Sequence, residues 1–442
     1  MATPRSFPAP FADRHAELAP SLSGAGIGWL AALRADSAAR CRQNGLPTTR
    51  VEAWRFTNLK DLVAGDFTPA GNVPDMALDS LPASSLLAVN GHVLAFVNGR
   101  FRAELSTIDA LPDGVALLPL SEAIRTDEQS LSAHLGHLTE AEENPFADLN
   151  TAFLEDGLVL RLADGVTLDR PVHLVSIGAV ADRAVAFFPR LLVVLGKGTK
   201  ATLFESHAGL GGAYFSNGVM EAVLGEGAHL EHYKLQNESP EAFHIANTRI
   251  SVASQGFYDG FVLQTGSRLA RNEVQVALNG ENARCHLSGA YLGTGRQHLD
   301  NTTFIDHAVP DCASREVYKG VLDERAHGVF QGKILVRRDA QRTDGHQLNR
   351  ALLLSREAEV NAKPELEIYA DDVKCSHGAT VGELAEEQLF YLQARGIDRA
   401  TARVLLIEAY VQEAVDEIGN VEARLPFQRV VGAWLKARKE RS

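Results

Sequence analysis

The segment Asp371-Asp372-Val373-Lys374-Cys375-Ser376-His377-Gly378-Ala379-Thr380 carries the residue pair best suited to chemistry in this chain. In an extended strand, residues two apart project from one face. Cys375 and His377 then stand side by side, a soft thiolate next to an imidazole. That combination suits zinc, copper or iron–sulfur chemistry. Lys374 is placed to favour the thiolate electrostatically. Two ligands do not close a tetrahedral site, so the others have to come from elsewhere in the chain or from a partner. The competing reading is a packed thiol beside a structural histidine.

Other groupings carry less. Cys285-His286 has the same residue types at adjacent positions, which reads as core. Cys312 follows Pro310-Asp311 as a loop thiol, and Cys41 belongs to a helix. The acid pairs Asp371-Asp372 and Glu386-Glu387 read as solvated charges. Gly196-Lys197-Gly198-Thr199 lacks the GxxxxGK[ST] frame that lets consecutive amides wrap a phosphate, so it reads as a turn between strands. GxSxG, HExxH and CxxC are all absent from the sequence.

The chain has 442 residues, with 43 Lys and Arg against 56 Asp and Glu, for a net charge of −13. Such an acidic balance has no surplus of positive charge to displace counterions from nucleic acid. With 45% hydrophobic residues it has the composition of a globular protein with a substantial core. No apolar run approaches the ~18–20 residues of a membrane span. The first residues, Met1 to His15, lack the apolar stretch of a secretory signal, so residues 1–25 read as a flexible leader. Four scattered cysteines form no disulfide framework and fit a reducing, cytoplasmic setting.

What must position the Cys375–His377 pair is a long β region. Residues 26–157 read as a mainly helical N-terminal domain with a hairpin near 93–105. There Asn98-Gly99 separates two alternating runs, and both residues tolerate positive φ. From Leu158 to Thr380 helical periodicity vanishes. One phrase recurs from Val194, Val223, Val252, Ala277, Val321 and Leu353, at intervals of 29, 29, 25, 44 and 32 residues. Units of this length cannot bury their own apolar face, and stacking them builds one continuous core. A parallel β-helix is the expected solution, with a β-sandwich as the alternative. Residues 381–442 read as helical. Thr380-Val381-Gly382-Glu383 fits a capping box, Gly396 a helix end, Asp398 an N-cap and Pro426 a break or first-turn residue. The helix after Asp398 is apolar on two sides. Val404, Ile407, Val411, Val415 and Ile418 form one stripe; Ala402, Leu405, Leu406, Ala409 and Tyr410 form the other. Such a helix is central in a bundle or shared with a partner, and the partner reading is preferred.

The chain resembles the SufB/SufD family of the SUF iron–sulfur cluster assembly system, on its SufD side. The resemblance is carried by Glu52-Ala53-Trp54-Arg55-Phe56-Thr57-Asn58-Leu59, by Asn144-Pro145-Phe146-Ala147-Asp148-Leu149-Asn150-Thr151-Ala152-Phe153 and by Thr343-Asp344-Gly345-His346-Gln347-Leu348-Asn349. Most specific are the run from Lys363-Pro364-Glu365 to Thr380 and Tyr391-Leu392-Gln393-Ala394-Arg395-Gly396-Ile397. Together they span nearly the whole chain after about residue 25. The resemblance implies a mainly β protein, a right-handed parallel β-helix flanked by helical domains at both ends. It implies a non-catalytic scaffold that pairs with a SufB-like paralogue through the β-helices. A SufC-like ATPase is expected to dock on the C-terminal helices, through Tyr391, Leu392, Arg395, Gly396, Ile397 and the stripe of Ala402, Leu405, Leu406, Ala409 and Tyr410. A transient iron–sulfur cluster is implied at the SufB interface, with His377 as its ligand from this chain and no nucleotide bound here; Cys375 is the second candidate, as a ligand or as a local structural thiol. A homodimer, in which the β-helix edge pairs with itself, is the alternative assembly for the isolated chain. The rival function is a β-helix enzyme acting on polysaccharide.

Overall fold

The computed structural model describes residues 9–70, 81, 85–139, 144–180 and 183–439. From Lys200 to Gly382 the chain passes back and forth between two parallel sheets, one of eleven strands and one of ten. Each coil contributes one strand to each sheet, so the structure is a β-solenoid. Lys200, His229, Phe257, Arg284, Ala313, Asp344 and Lys374 stand in one register row of the ten-stranded sheet. Their spacings are 29, 28, 27, 29, 31 and 30 residues.

A fixed corner explains that period. Two residues before each of six row members the backbone turns left-handed: Gly198, Gly227, Gln255, Asn282, Asp311 and Arg342 have φ between 58° and 65°. Only the first two are glycine, so the other four adopt a conformation that costs L-residues energy. Amides of successive corners offset that cost by bonding to the next coil. Gly198 N–H donates to Glu226 O, Gly227 to Ser254 O and Arg342 to Asp372 O, at 2.8, 2.8 and 2.6 Å. Gly196-Lys197-Gly198-Thr199 is one of these corners. The irregular 44-residue interval also has a geometric cause. Val194 and Val223 end strands of the eleven-stranded sheet, whereas Val321 and Leu353 end strands of the other. The same turn phrase is used at both corners, and the long interval marks the change of corner.

β structure begins before residue 158. The hairpin forms at Asn98-Gly99, pairing Phe96 with Phe101 and Val97 with Arg100. Its strand His92–Val97 also lies parallel to Val172–Gly178, and Val115–Pro119 lies antiparallel to Gly157–Leu162. The N-terminal region therefore supplies strands to both sheets rather than standing apart as a helical domain. The segment expected to be a leader contains a helix, Ala9–Leu18; residues 1–8 lie outside the described residues.

Much of the N-terminal region lies on the outer face of the eleven-stranded sheet, while Leu81, Leu87 and Leu105 pack on the ten-stranded one. Helix Gly28–Asn44 ends at Gly45 with φ of 64°. Helix Pro145–Ala152 is capped by the Asn144 side chain, which accepts from Phe146 and Ala147 N–H. Trp54 and Phe146 pack with Phe215, Phe243 and Leu269 of the solenoid. The guanidinium of buried Arg271 sits 4.1 Å from the Trp54 ring centroid and bonds Asp300 Oδ2 at 2.5 Å and Glu273 Oε2 at 3.1 Å. Thr57 Oγ1 donates to the same Asp300 oxygen.

Three C-terminal helices, Glu386–Gln393, Arg399–Val415 and Val421–Lys439, follow the last strand. Three local expectations are corrected. Thr380 to Gly382 are strand, because they pair in register with Arg350 to Leu352, so no capping box forms there. Pro426 lies inside the last helix, past its first turn and at no break, where its missing N–H leaves one carbonyl of the preceding turn without a helical donor. The stripe Ile407, Val411, Val415 and Ile418 packs intramolecularly, against Phe261, Leu263, Leu292 and Val321 on the outer face of the ten-stranded sheet. Asp398 does cap its helix, accepting from Thr401 N–H.

Candidate functional site at the open end of the solenoid

The last two strands, Glu359–Ile368 and Val373–Gly382, terminate the two sheets. Each is paired on one side only, and no coil follows them. An uncovered sheet edge is a template for another chain. Ile368, Tyr369 and Val381 are exposed apolar side chains at this end.

Cys375 and His377 share one face of the last strand. Cys375 is half-buried and packs on the interior core. Its register neighbours are Gly345, Ser314 and Cys285. Gly345 leaves room beneath the thiol, where a Cβ would lie 3.5 Å from Cys375 Sγ. Burial pushes the thiol pKa up, and a smaller effect of the Gly345 backbone opposes it. Lys374 projects from the opposite face, in register with Asp344, so the expected stabilisation of the thiolate by Lys374 is not realised. His377 is exposed, in register with Gln347. Among the described residues no group of three or more His, Cys, Asp and Glu is gathered to hold a metal ion.

The outer face of the last strand and its neighbour Thr343–Leu353 carries a cluster that sequence reasoning passed over. His346 Nδ1 lies 2.7 Å from Ser376 Oγ, and its Nε2 lies 2.7 Å from Asp344 Oδ1. The signal was present: Asp344 and His346 alternate on one strand, and Ser376 is the register partner of His346.

The other cysteines are structural. Cys285, Cys312 and Cys41 are buried, and burial raises the pKa of all three thiols. His286 has a different role. Its Nδ1 is 2.9 Å from Asp259 Oδ1 and its Nε2 is 3.4 Å from Glu417 Oε2, joining the solenoid to the end of the middle C-terminal helix.

The expected ATPase surface divides in two. Tyr391, Arg395, Gly396, Leu405 and Ala409 are exposed, and Leu392, Ile397 and Leu406 are half-buried. The Arg395 guanidinium lies 3.5 Å from the Tyr391 ring centroid. Ala402 is fully buried, and Tyr410 is turned inward with Lys319 Nζ 4.6 Å from its ring. These two belong to the interior of the chain. Phe390, 73% exposed, joins the surface although the sequence reading left it out.

Comparison with known proteins gives two family matches. The family described as SUF system FeS cluster assembly, SufBD core domain, matches residues 178–410, and the SufBD protein N-terminal region matches residues 11–174. The chain is 36% identical over 393 residues to an iron–sulfur cluster assembly SufBD family protein of Synechocystis sp., covering 86% of each chain. It is 31% identical over 382 residues to the iron–sulfur cluster assembly protein SufD of Escherichia coli, covering 85% of this chain and 86% of the relative. It is 34% identical over 324 residues to protein ABCI7, chloroplastic, of Arabidopsis thaliana, covering 71% of this chain and 67% of the relative.

Proposed function

The chain belongs to the SufBD family of iron–sulfur cluster assembly proteins, and on that premise we propose that it is a SufD-like, non-catalytic scaffold. Its solenoid pairs with a SufB-like paralogue, and its C-terminal helices dock a SufC-like ATPase. The observation that carries this reading is the open last coil, which presents two unpaired strand edges and the Cys375–His377 pair together.

Each feature of that end suits a shared site. Edge strands offer main-chain hydrogen bonds to a second chain, and Ile368, Tyr369 and Val381 offer apolar contact. His377 supplies nitrogen at the surface, where a partner's ligands can complete the set around the cluster. Cys375, lower in the same face, is the second ligand or the thiol that seats the strand. The cluster is cargo, built there and passed on. Imidazole binds metal in its neutral form and sulfur as thiolate, so loading weakens at acid pH. On the C-terminal helices, Phe390, Tyr391 and Leu405 give the ATPase subunit an aromatic and aliphatic contact.

The test is co-expression with a SufB-like and a SufC-like chain, followed by hydrogen exchange over residues 359–382. Binding of the SufB-like chain is expected to slow exchange along both edge strands. Unchanged exchange there, in a complex that has nevertheless formed, would place the interface elsewhere.

A further inference from the structure

The inward-facing row that ends at His377 runs back through Gln347 and Glu316. Gln347 is 3% exposed and Glu316 1%. Gln347 Nε2 donates to Glu316 Oε2 at 2.6 Å. No cation is ion-paired with Glu316 among the described residues, and burial pushes its carboxyl up to about 7. Gln347 Oε1 is buried without a hydrogen-bond partner, whereas Glu316 also has the Thr303 hydroxyl beside it. A buried acceptor left unmet is costly, and such an atom calls for a role.

The space for Gln347 is also made deliberately. Gly332 faces it from the other sheet, and a Cβ there would overlap Gln347 Nε2. The nitrogen and oxygen of an amide diverge from one carbon. The nitrogen is committed to Glu316 and the oxygen is unbonded in this structure, with His377 the register neighbour in the last coil. Neighbouring strands lie about 4.7–4.9 Å apart, within reach of a hydrogen bond between in-register side chains.

We propose that Gln347, held by Glu316, is a positioning residue for His377: its Oε1 accepts one ring N–H and leaves the other ring nitrogen, unprotonated, directed to the open end. A histidine ligand is commonly oriented in this way, by an acceptor on the nitrogen that does not bind metal. The relay explains why a glutamine and a glutamate without a cation are retained inside the solenoid, one and two coils below an exposed histidine. It deepens the reading of His377 as a ligand and rests on that reading for its purpose, but the tautomer itself does not depend on any metal.

The experiment uses the full chain, metal-free and labelled with 15N-histidine, with the His377 ring signals assigned by their loss in His377→Ala. One tautomer is expected to dominate in the parent chain. In Gln347→Met, which keeps the volume and removes the acceptor, the tautomer ratio is expected to move about fivefold toward equality, the effect of one ordinary hydrogen bond. Glu316→Gln keeps a partner for the amide and is expected to keep the dominant tautomer. An unchanged ratio in a folded Gln347→Met chain overturns the relay. Iron loading of reconstituted His377→Ala separates the two ideas. If loading persists while Gln347→Met shifts the tautomer, the ligand reading fails and the relay stands. If loading is lost while the tautomer stays fixed in Gln347→Met, the relay fails and the ligand reading stands.

Discussion

The two ends of the solenoid are built to opposite plans. At the N-terminal end the parallel coils give way to added antiparallel strands. A hairpin and an antiparallel strand extend the sheets, and a helical region covers one outer face. Beneath that helical region, well along the solenoid on strands Leu269–Leu278 and His298–His307, charged residues are sealed in pairs, with Arg271 stacked under Trp54 and bonded to Asp300 and Glu273. At the C-terminal end the last two strands are bare on one side, and the side chains with ligand chemistry are exposed or half-buried. Repeat proteins cap their terminal units because an open end exposes core and unpaired backbone. The C-terminal end, where two parallel strands stop beside the Cys375–His377 pair, is the end suited to receive a second chain.

Mutations should separate the two plans by size of effect. The largest is expected where the N-terminal region packs on the solenoid. Asp300→Ala removes a partner from fully buried Arg271, and breaking a buried pair costs about 3–5 kcal/mol. Because Glu273 remains, a loss near the lower figure is expected in urea unfolding. A loss below about 0.5 kcal/mol, the scale of surface changes, would mean the N-terminal region contributes little to stability.

The next effect falls on assembly. Phe390→Asp changes a side chain with no structural burden, so the melting point should stay put. Retention of the SufC-like ATPase should be lost, since a buried aromatic anchor is worth about 2–4 kcal/mol at an interface. Full retention would move the docking surface away from the first C-terminal helix.

A smaller effect joins the solenoid to its C-terminal helices. Burial alone would lower the His286 pKa, but bonds to Asp259 and Glu417 outweigh it and raise the pKa to about 9. Bonding to His286 holds Glu417 down at about 2. The raised histidine contributes stability that is fully present below its unfolded pKa of 6.5 and is lost as pH rises through about 9. The lowered glutamate contributes stability present above 4.5 and lost as pH falls through about 2. Glu417→Gln is expected to cost on the order of 1 kcal/mol near pH 6 after solvent screening, and much less above pH 9. Equal costs at both pH values in chemical unfolding would show that the pair is not coupled.

The smallest effect on stability is expected at the open end. His377→Ala removes an exposed ring and should change stability by no more than about 0.5 kcal/mol. A melting point that falls by several degrees would make His377 a structural residue.

How far the sequence told this story depends on range. The recurring turn phrase revealed the solenoid because each coil repeats one corner, and period-2 alternation put Cys375 and His377 on one face. Asn98-Gly99 and Asp398 were legible because turns and caps are local chemistry. What was illegible depended on distant strands. Arg271 under Trp54 joins residues more than two hundred apart in the chain. The Glu316–Gln347 relay needs the register of three coils. Lys374 next to Cys375 in sequence suggested a thiolate, yet the pleat puts them on opposite faces and burial raises the thiol. The stripe of Ile407 and Val411 looked free for a partner because nothing local marks the sheet face that covers it.

The central claim is that the open coil contributes His377 to a cluster shared with a second chain. It is tested most directly by iron and acid-labile sulfide per complex, reconstituted with SufB-like and SufC-like chains and either the parent chain or its His377→Ala variant. The account predicts that the variant complex assembles and melts like the parent but holds far less iron and sulfide. Full loading of the assembled His377→Ala complex would contradict it.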